Sequence, residues 1–150
     1  MISTTSPTKP SALVPDDARP ARGLLDTSVV IDLEAIPATL LPIEVAISAI
    51  TLAELAAGPH ATDDPGERSR RQDRLQRTEA AFDPLPCDAD AARAYGRIFA
   101  AVAGARRKPR GARAVDLLIA ATALASQLPL YTRNPDDFEA LHDLVEVIGI

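Results

Sequence analysis

The chain is 150 residues long and has one cysteine, Cys87. That is enough sequence for a single domain burying roughly two thirds of its unfolded surface, and it rules out an intrachain disulfide, as expected of a reducing cytoplasm. A balance of 16 Lys+Arg against 21 Asp+Glu, net −5, is unlike a basic nucleic-acid module, and 3% aromatic residues with no Trp leave few rings for reading single-stranded bases. No apolar run reaches membrane-spanning length and the N-terminal residues hold no continuous signal core, so no membrane role is expected.

Residues 1–22 are rich in Pro, Ser and Thr, with Pro7, Pro10, Pro15 and Pro20 breaking any period. They are expected to form a flexible extension, with the folded domain over 23–150. A short strand, Leu24-Leu25, ends at Asp26, and Thr27 or Ser28 can cap a helix carrying Val29, Val30 and Leu33. Val45-Ala46-Ile47 reads as a buried strand. Thr51 is expected to open a helix that stops at Gly58-Pro59. After a turn at Pro65-Gly66, an exposed helix carries Arg68, Arg70, Arg71, Arg74 and Arg77. Pro84 and Pro86 keep the segment from Phe82 extended. Asp88 caps a helix with Ala91, Ala92, Tyr95, Ile98, Phe99 and Val102 on one face, broken at Gly104 and Pro109-Arg110-Gly111. Arg113 to Gln127 is an Ala-rich helix, apolar almost all round. Leu130-Tyr131-Thr132 is a strand, Pro135 to Leu141 a short helix and Val145 to Ile148 a last strand. This alternation predicts an α/β fold in three layers, a central parallel sheet of four or five strands with helices on both faces. Sites in such sheets form at the carboxyl ends of the strands, where Asp26 and Asn134 both fall.

Three carboxylates sit inside apolar runs: Asp26 after Gly23-Leu24-Leu25, Glu54 in Ile50-to-Leu55, and Asp116 in Ala114-to-Leu118. Burying a carboxylate is costly unless a charge partner or a metal offsets it. Each has a bland reading. Asp26-Thr27-Ser28 can be a helix cap, Thr51-Leu52-Ala53-Glu54 a capping box, and Asn134-Pro135-Asp136 an ordinary turn. Asp116 has no such account, because a dipole interaction of about 0.3–1 kcal/mol cannot offset several kcal/mol of desolvation. Taken together, the acids suit a hard divalent cation, Mg²⁺ or Mn²⁺, and hence phosphodiester chemistry. Asn134 can add a neutral oxygen and Asp136 or Asp137 a fourth acid. Thr27, Ser28 and Thr132 are placed to hydrogen-bond carboxylates or waters.

Leu25-Asp26-Thr27-Ser28-Val29, the Ile50–Leu55 run with Glu54, Val115-Asp116 through Ala123, and Thr132-Arg133-Asn134-Pro135-Asp136-Asp137-Phe138 resemble, in order, the PIN domain. The likeness is nearest to VapC-type toxins of bacterial toxin–antitoxin pairs, and runs from Gly23 to the C-terminus. It implies a small Mg²⁺- or Mn²⁺-dependent endoribonuclease in the cytoplasm, a homodimer neutralised by a VapB-like antitoxin, leaving 5′-phosphate and 3′-hydroxyl ends. The family's acids map onto Asp26, Glu54 and Asp116. Many relatives carry Asp where this chain has Asn134; in Asn-bearing relatives Asp137 completes the set, which leaves open whether one or two metals bind.

Arg107, Arg110 and Arg113 belong to a basic strip before the Asp116 helix that would grip RNA phosphates; the alternative for this strip and for Arg68–Arg77 is a solvated surface. Cys87 reads as a small buried residue rather than as a nucleophile paired with His60 or His142. Two rival functions remain. One is a non-catalytic protein-binding module whose acids are caps and surface charges. The other is an aspartyl-phosphate phosphatase, against which stands Ser28 where a second Asp is wanted.

Overall fold

The computed structural model describes residues 19–105 and 112–150. Most of the expected extension therefore lies outside the described residues. Its last part does not behave as an extension: Arg19 donates to Ala38 O at 3.0 Å, and the carbonyls of Pro20 and Ala21 accept from Ile43 and Glu44. Strand β1 (Arg22–Leu25) opens one residue before Gly23.

Four parallel strands form the sheet, in the order β2 (Glu44–Ala46), β1, β3 (Leu130–Thr132), β4 (Val147–Gly149). Of the four or five strands expected, four form among the described residues, and the extended segment before Pro86 adds a single bridge. Leu85, held extended by Pro84 and Pro86, accepts from Ala49 and donates to Ile47 O beyond the end of β2. Side chains alternate across a strand, so Leu24 and Leu130 face one core while Leu25 and Tyr131 face the other. Helices α4 (Ala89–Gly104) and α5 (Ala112–Ala125) cover the first face. Helix α1 (Thr27–Ile31), Leu55 of α2 (Ala49–Ala57) and Leu75 of α3 (Pro65–Ala81) cover the second. Among the described residues no helix is long and apolar enough to cross a membrane.

Several expected boundaries shift, for local reasons. Helix α2 starts at Ala49, because the buried Ser48 caps it by accepting from Thr51 N. Helix α3 takes in Pro65 and Gly66, with Asp64 as its cap and Pro65 at the first turn, where a missing N–H costs nothing. On α4 the buried row is Ala91, Ala94, Ile98 and Val102; Ala92 and Phe99 stand one residue round the helix and are exposed. Helix α5 stops at Ala125 without a glycine. Gln127 adopts φ 55°, and the bonds Leu128 N to Ala123 O and Gln127 N to Leu124 O close a Schellman turn. Residues 135–141 form 3₁₀ turns, and Val145 is a core residue before the last strand rather than part of it.

Gly23 is fixed by close approach. A Cβ there would stand 2.5 Å from Cε2 of the buried Tyr131 ring and 3.0 Å from Cγ of Pro42. Gly23→Ala is expected to destabilise the fold by roughly 1–3 kcal/mol, the usual cost of overpacking. Thermal denaturation checks this, and an unchanged Tm would show that the ring is free to move aside.

Candidate active site

Strand β1 leads outward to β2 and β3 leads outward to β4, so the connections diverge and a crevice opens between the carboxyl ends of β1 and β3. Asp26 is the residue after β1. Its N–H donates to Tyr131 O at 2.8 Å, so the sheet itself holds its backbone. The side chain, only 4% exposed, accepts from Thr27 N on Oδ1 (2.8 Å) and from both Ser28 Oγ (2.9 Å) and Thr132 Oγ1 (2.8 Å) on Oδ2. Each hydroxyl also accepts a backbone N–H from the turn after β3: Arg133 N on Ser28 Oγ and Asn134 N on Thr132 Oγ1. A carboxylate oxygen has two lone pairs. Oδ2 is therefore filled, and Oδ1 keeps one lone pair for a ligand. The cap reading of Asp26 is realised, and the side chain keeps one lone pair beyond the donors that hold it among the described residues.

Glu54 is not part of a capping box, because Ser48 rather than Thr51 caps its helix. It lies in the second turn of α2, where Oε1 accepts from Thr27 Oγ1 at 2.7 Å. Thr27 Oγ1 and Thr51 Oγ1 are 3.0 Å apart, and Ser48 Oγ is 3.4 Å from Thr51 Oγ1. The single hydroxyl proton of Thr27 goes to the carboxylate, so Thr51 donates to Thr27 and Ser48 to Thr51. Ser48 and Thr51 are fully buried, and this hydroxyl chain orients Glu54. Sequence reasoning missed Ser48, although Ser48-x-x-Thr51-x-x-Glu54 is the spacing of one helix face.

Asp116 lies half-buried on α5 and makes no hydrogen bond or ion pair among the described residues. Burial, then the charges of Asp26, Glu54 and Asp137, push its pKa up from 3.8 to about 6, with Arg113 pulling the other way. The strands and helices thus bring four separate carboxylates into one field. Asp137, not Asp136, is the acid of the 135–141 segment that acts on Asp116. Asn134 and Asp137 are exposed, and the Asn134 side chain caps nothing. Arg113 donates from Nη2 to Asp137 O at 2.7 Å, tying α5 to that segment, while its Nε is buried with no acceptor. Arg107 and Arg110 lie outside the described residues. Cys87 is exposed rather than buried, standing just before the Asp88 cap.

The donor set is all oxygen and strongly anionic, which fits Mg²⁺ or Mn²⁺ and not a thiolate- or imidazole-preferring metal. Among the described residues no three acidic, His or Cys side chains stand close enough to grip an ion together. Mg²⁺ keeps several waters and needs only one or two direct carboxylates, so a spread of mutually repelling acids still fits it.

Two substitutions separate the roles of the acids. Because folding raises the proton affinity of Asp116, that group's stabilising share is full below about pH 4 and is lost as pH rises through about 6. Asp116→Asn is therefore expected to raise the Tm of metal-free protein above pH 6, with the gain vanishing near pH 4. Melts in EDTA across that range test it, and a pH-independent difference would contradict it. Asp26→Ala is expected to act oppositely, costing about 1–3 kcal/mol by stranding the donors of Thr27, Ser28 and Thr132.

Comparison with known proteins accords with this geometry. The PIN domain pattern matches residues 23–144. The chain is 39% identical over 136 residues to Ribonuclease VapC5 of Mycobacterium tuberculosis (strain ATCC 25618 / H37Rv), covering 87% of this chain and 97% of that protein. The crystal structure of VapBC-5 from Mycobacterium tuberculosis, a member of the VapBC family of toxin-antitoxin systems, superposes with a TM-score of 0.76 at 39% identity, over 87% of this chain and 100% of that one. FitAcB from Neisseria gonorrhoeae gives a TM-score of 0.64 at 28% identity, over 84% and 96%. The chain belongs to the PIN domain family.

Proposed function

We propose that this protein is a metal-dependent endoribonuclease, the toxin of a toxin–antitoxin pair, and that residues 23–150 form its nuclease domain. The observation that carries the reading is the half-buried Asp116, held without a hydrogen bond in the field of three other carboxylates. A structural protein would gain nothing from that arrangement, and a divalent cation relieves it. The likeness to Ribonuclease VapC5 and to a VapBC complex supports both the substrate class and an antitoxin partner.

In this reading Asp26, Glu54, Asp116 and Asp137 hold Mg²⁺ or Mn²⁺. Such an ion lowers the pKa of a water and offsets the charge gathering on the phosphate as it is attacked. Asp26 offers the remaining lone pair of Oδ1 from a fixed position, while Thr132 and Ser28 keep it from rotating. The hydroxyl chain ending at Thr27 holds Glu54 Oε1, leaving Oε2 to face the ion or its waters. Asn134, exposed at the rim, presents an amide to the substrate or to a water. Arg113, together with Arg107 and Arg110, would grip RNA phosphates. Water oxygen bonds to phosphorus, the bond to the 3′ oxygen breaks, and that oxygen leaves as a hydroxyl, giving a 5′-phosphate. A homodimer is part of the proposal, with Phe99, exposed on α4 beside Tyr95, as apolar surface for the second copy. Against the phosphatase alternative, Asp26 is buried and three of its four lone pairs are engaged.

Purified protein is expected to cut total RNA with Mg²⁺ and not with EDTA, and Asp116→Asn is expected to be inactive. Mg²⁺ should also raise the wild-type Tm and leave that of Asp116→Asn unmoved, since only binding to the folded state shifts the equilibrium. Equal cleavage in all lanes would refute the proposal. Thr51→Val, similar in shape, is expected to fold normally yet weaken metal affinity or activity by about 10–100-fold, the usual effect of losing an outer hydrogen bond.

A further inference from the structure

The five arginines of α3 are not equivalent. Arg68 donates to Pro59 O and Thr62 O. Arg70 and Arg71 both bind Glu67, and Arg71 also donates to Gly58 O. Arg77 faces Glu34 at 3.7 Å. Arg74 alone among them has no acceptor and no carboxylate partner among the described residues. It is partly buried, and it lines a cleft of about 300 Å³ whose other walls include Thr27, Ile31, Glu54 and Leu55. Thr27 and Glu54 are also residues of the acidic site, so the cleft opens directly off it. A second cleft of about 230 Å³ continues past Arg74 and Ile31 along α1 to Phe82.

We propose that Arg74 binds a backbone phosphate of the RNA strand adjacent to the scissile one, with the cleft off Glu54 as the path that strand takes. The inference rests on the ribonuclease reading and deepens it. A chain of net charge −5 with an acidic centre repels a polyanion, so a free guanidinium held beside that centre has a function that its four neutralised neighbours on α3 lack. The walls of the first cleft contain no aromatic ring on which a base could stack, so the contact assigned to Arg74 is the charge-assisted one to phosphate, which carries no sequence information. Ile31, 46% exposed, offers an apolar flank to the sugar.

The test uses the full chain and a fluorescein-labelled single-stranded RNA of mixed sequence. Binding is measured by anisotropy in the Asp116→Asn background over a salt series, and cleavage is measured in the otherwise wild-type protein. Arg74→Ala is expected to weaken binding several-fold at low salt and to lower the slope of log affinity against log salt by about 0.7, the value for one phosphate contact on a single strand. Cleavage positions should not change, and Arg74→Lys should restore most of the slope. Arg93→Ala removes an equal charge from α4, where Arg93 pairs with Asp90, and should move neither quantity. Unchanged affinity and slope for Arg74→Ala, while the wild-type protein still cuts RNA, would overturn this inference alone. So would intact RNA binding together with a weakened antitoxin complex, which would make the cleft a protein-docking surface. Wild-type protein that cuts no RNA would overturn the ribonuclease reading and this inference with it.

Discussion

The whole arrangement depends on how Asp26 is held. One buried carboxylate oxygen takes the hydroxyls of Ser28, at the start of α1, and of Thr132, at the end of β3, and each hydroxyl in turn accepts a backbone N–H of the turn after β3. A buried anion needs such donors, since an unpaired one costs several kcal/mol. Meeting that need fixes the relative height of β1 and β3 and the start of the 134–141 segment together. The same hydrogen bonds that make the charge tolerable leave one lone pair of Oδ1 without a donor among the described residues.

Around this fixed point the remaining acids differ in how they are supported. Glu54 is oriented by a buried chain of hydroxyls running from Ser48 through Thr51 to Thr27. Asp116 has no such support and carries the electrostatic cost of the site in its raised pKa. Asp137 is exposed and is positioned through its backbone by Arg113. This gradient, from a locked acid to a free one, suits the proposed binding of a hydrated ion, for which one acid would be preorganised while others adjust.

The distribution of positive charge follows a similar logic. Most arginines near the centre are consumed locally, by Glu67, by Asp32 or by carbonyls. Among the described residues Arg74 alone of the α3 arginines remains uncommitted in the cleft that Glu54 also lines. An acidic protein proposed to act on RNA must place its cations sparingly, because each one next to the acids also competes with the metal they are proposed to hold.

The order of strands and helices, the parallel sheet and the carboxylates that the fold gathers around Asp116 were legible in the chain. Buried strands and helices carry distinct apolar periods, and a carboxylate set inside such a run is conspicuous whatever surrounds it. Helix starts were read less well at α2 and α3, capped by Ser48 and Asp64, than at α4, where Asp88 caps as expected. Ser48 moved the start of α2, and that shift settled whether Glu54 served its own helix or the crevice. That Asp137 rather than Asp136 acts on Asp116, the hydroxyl chain behind Glu54 and the partners of each arginine on α3 were decided only by the tertiary structure. Sequence fixes which groups lie on an element and at what period along it. The pairing of charges and hydrogen bonds depends on distances between elements, and those exist only once the layers have packed.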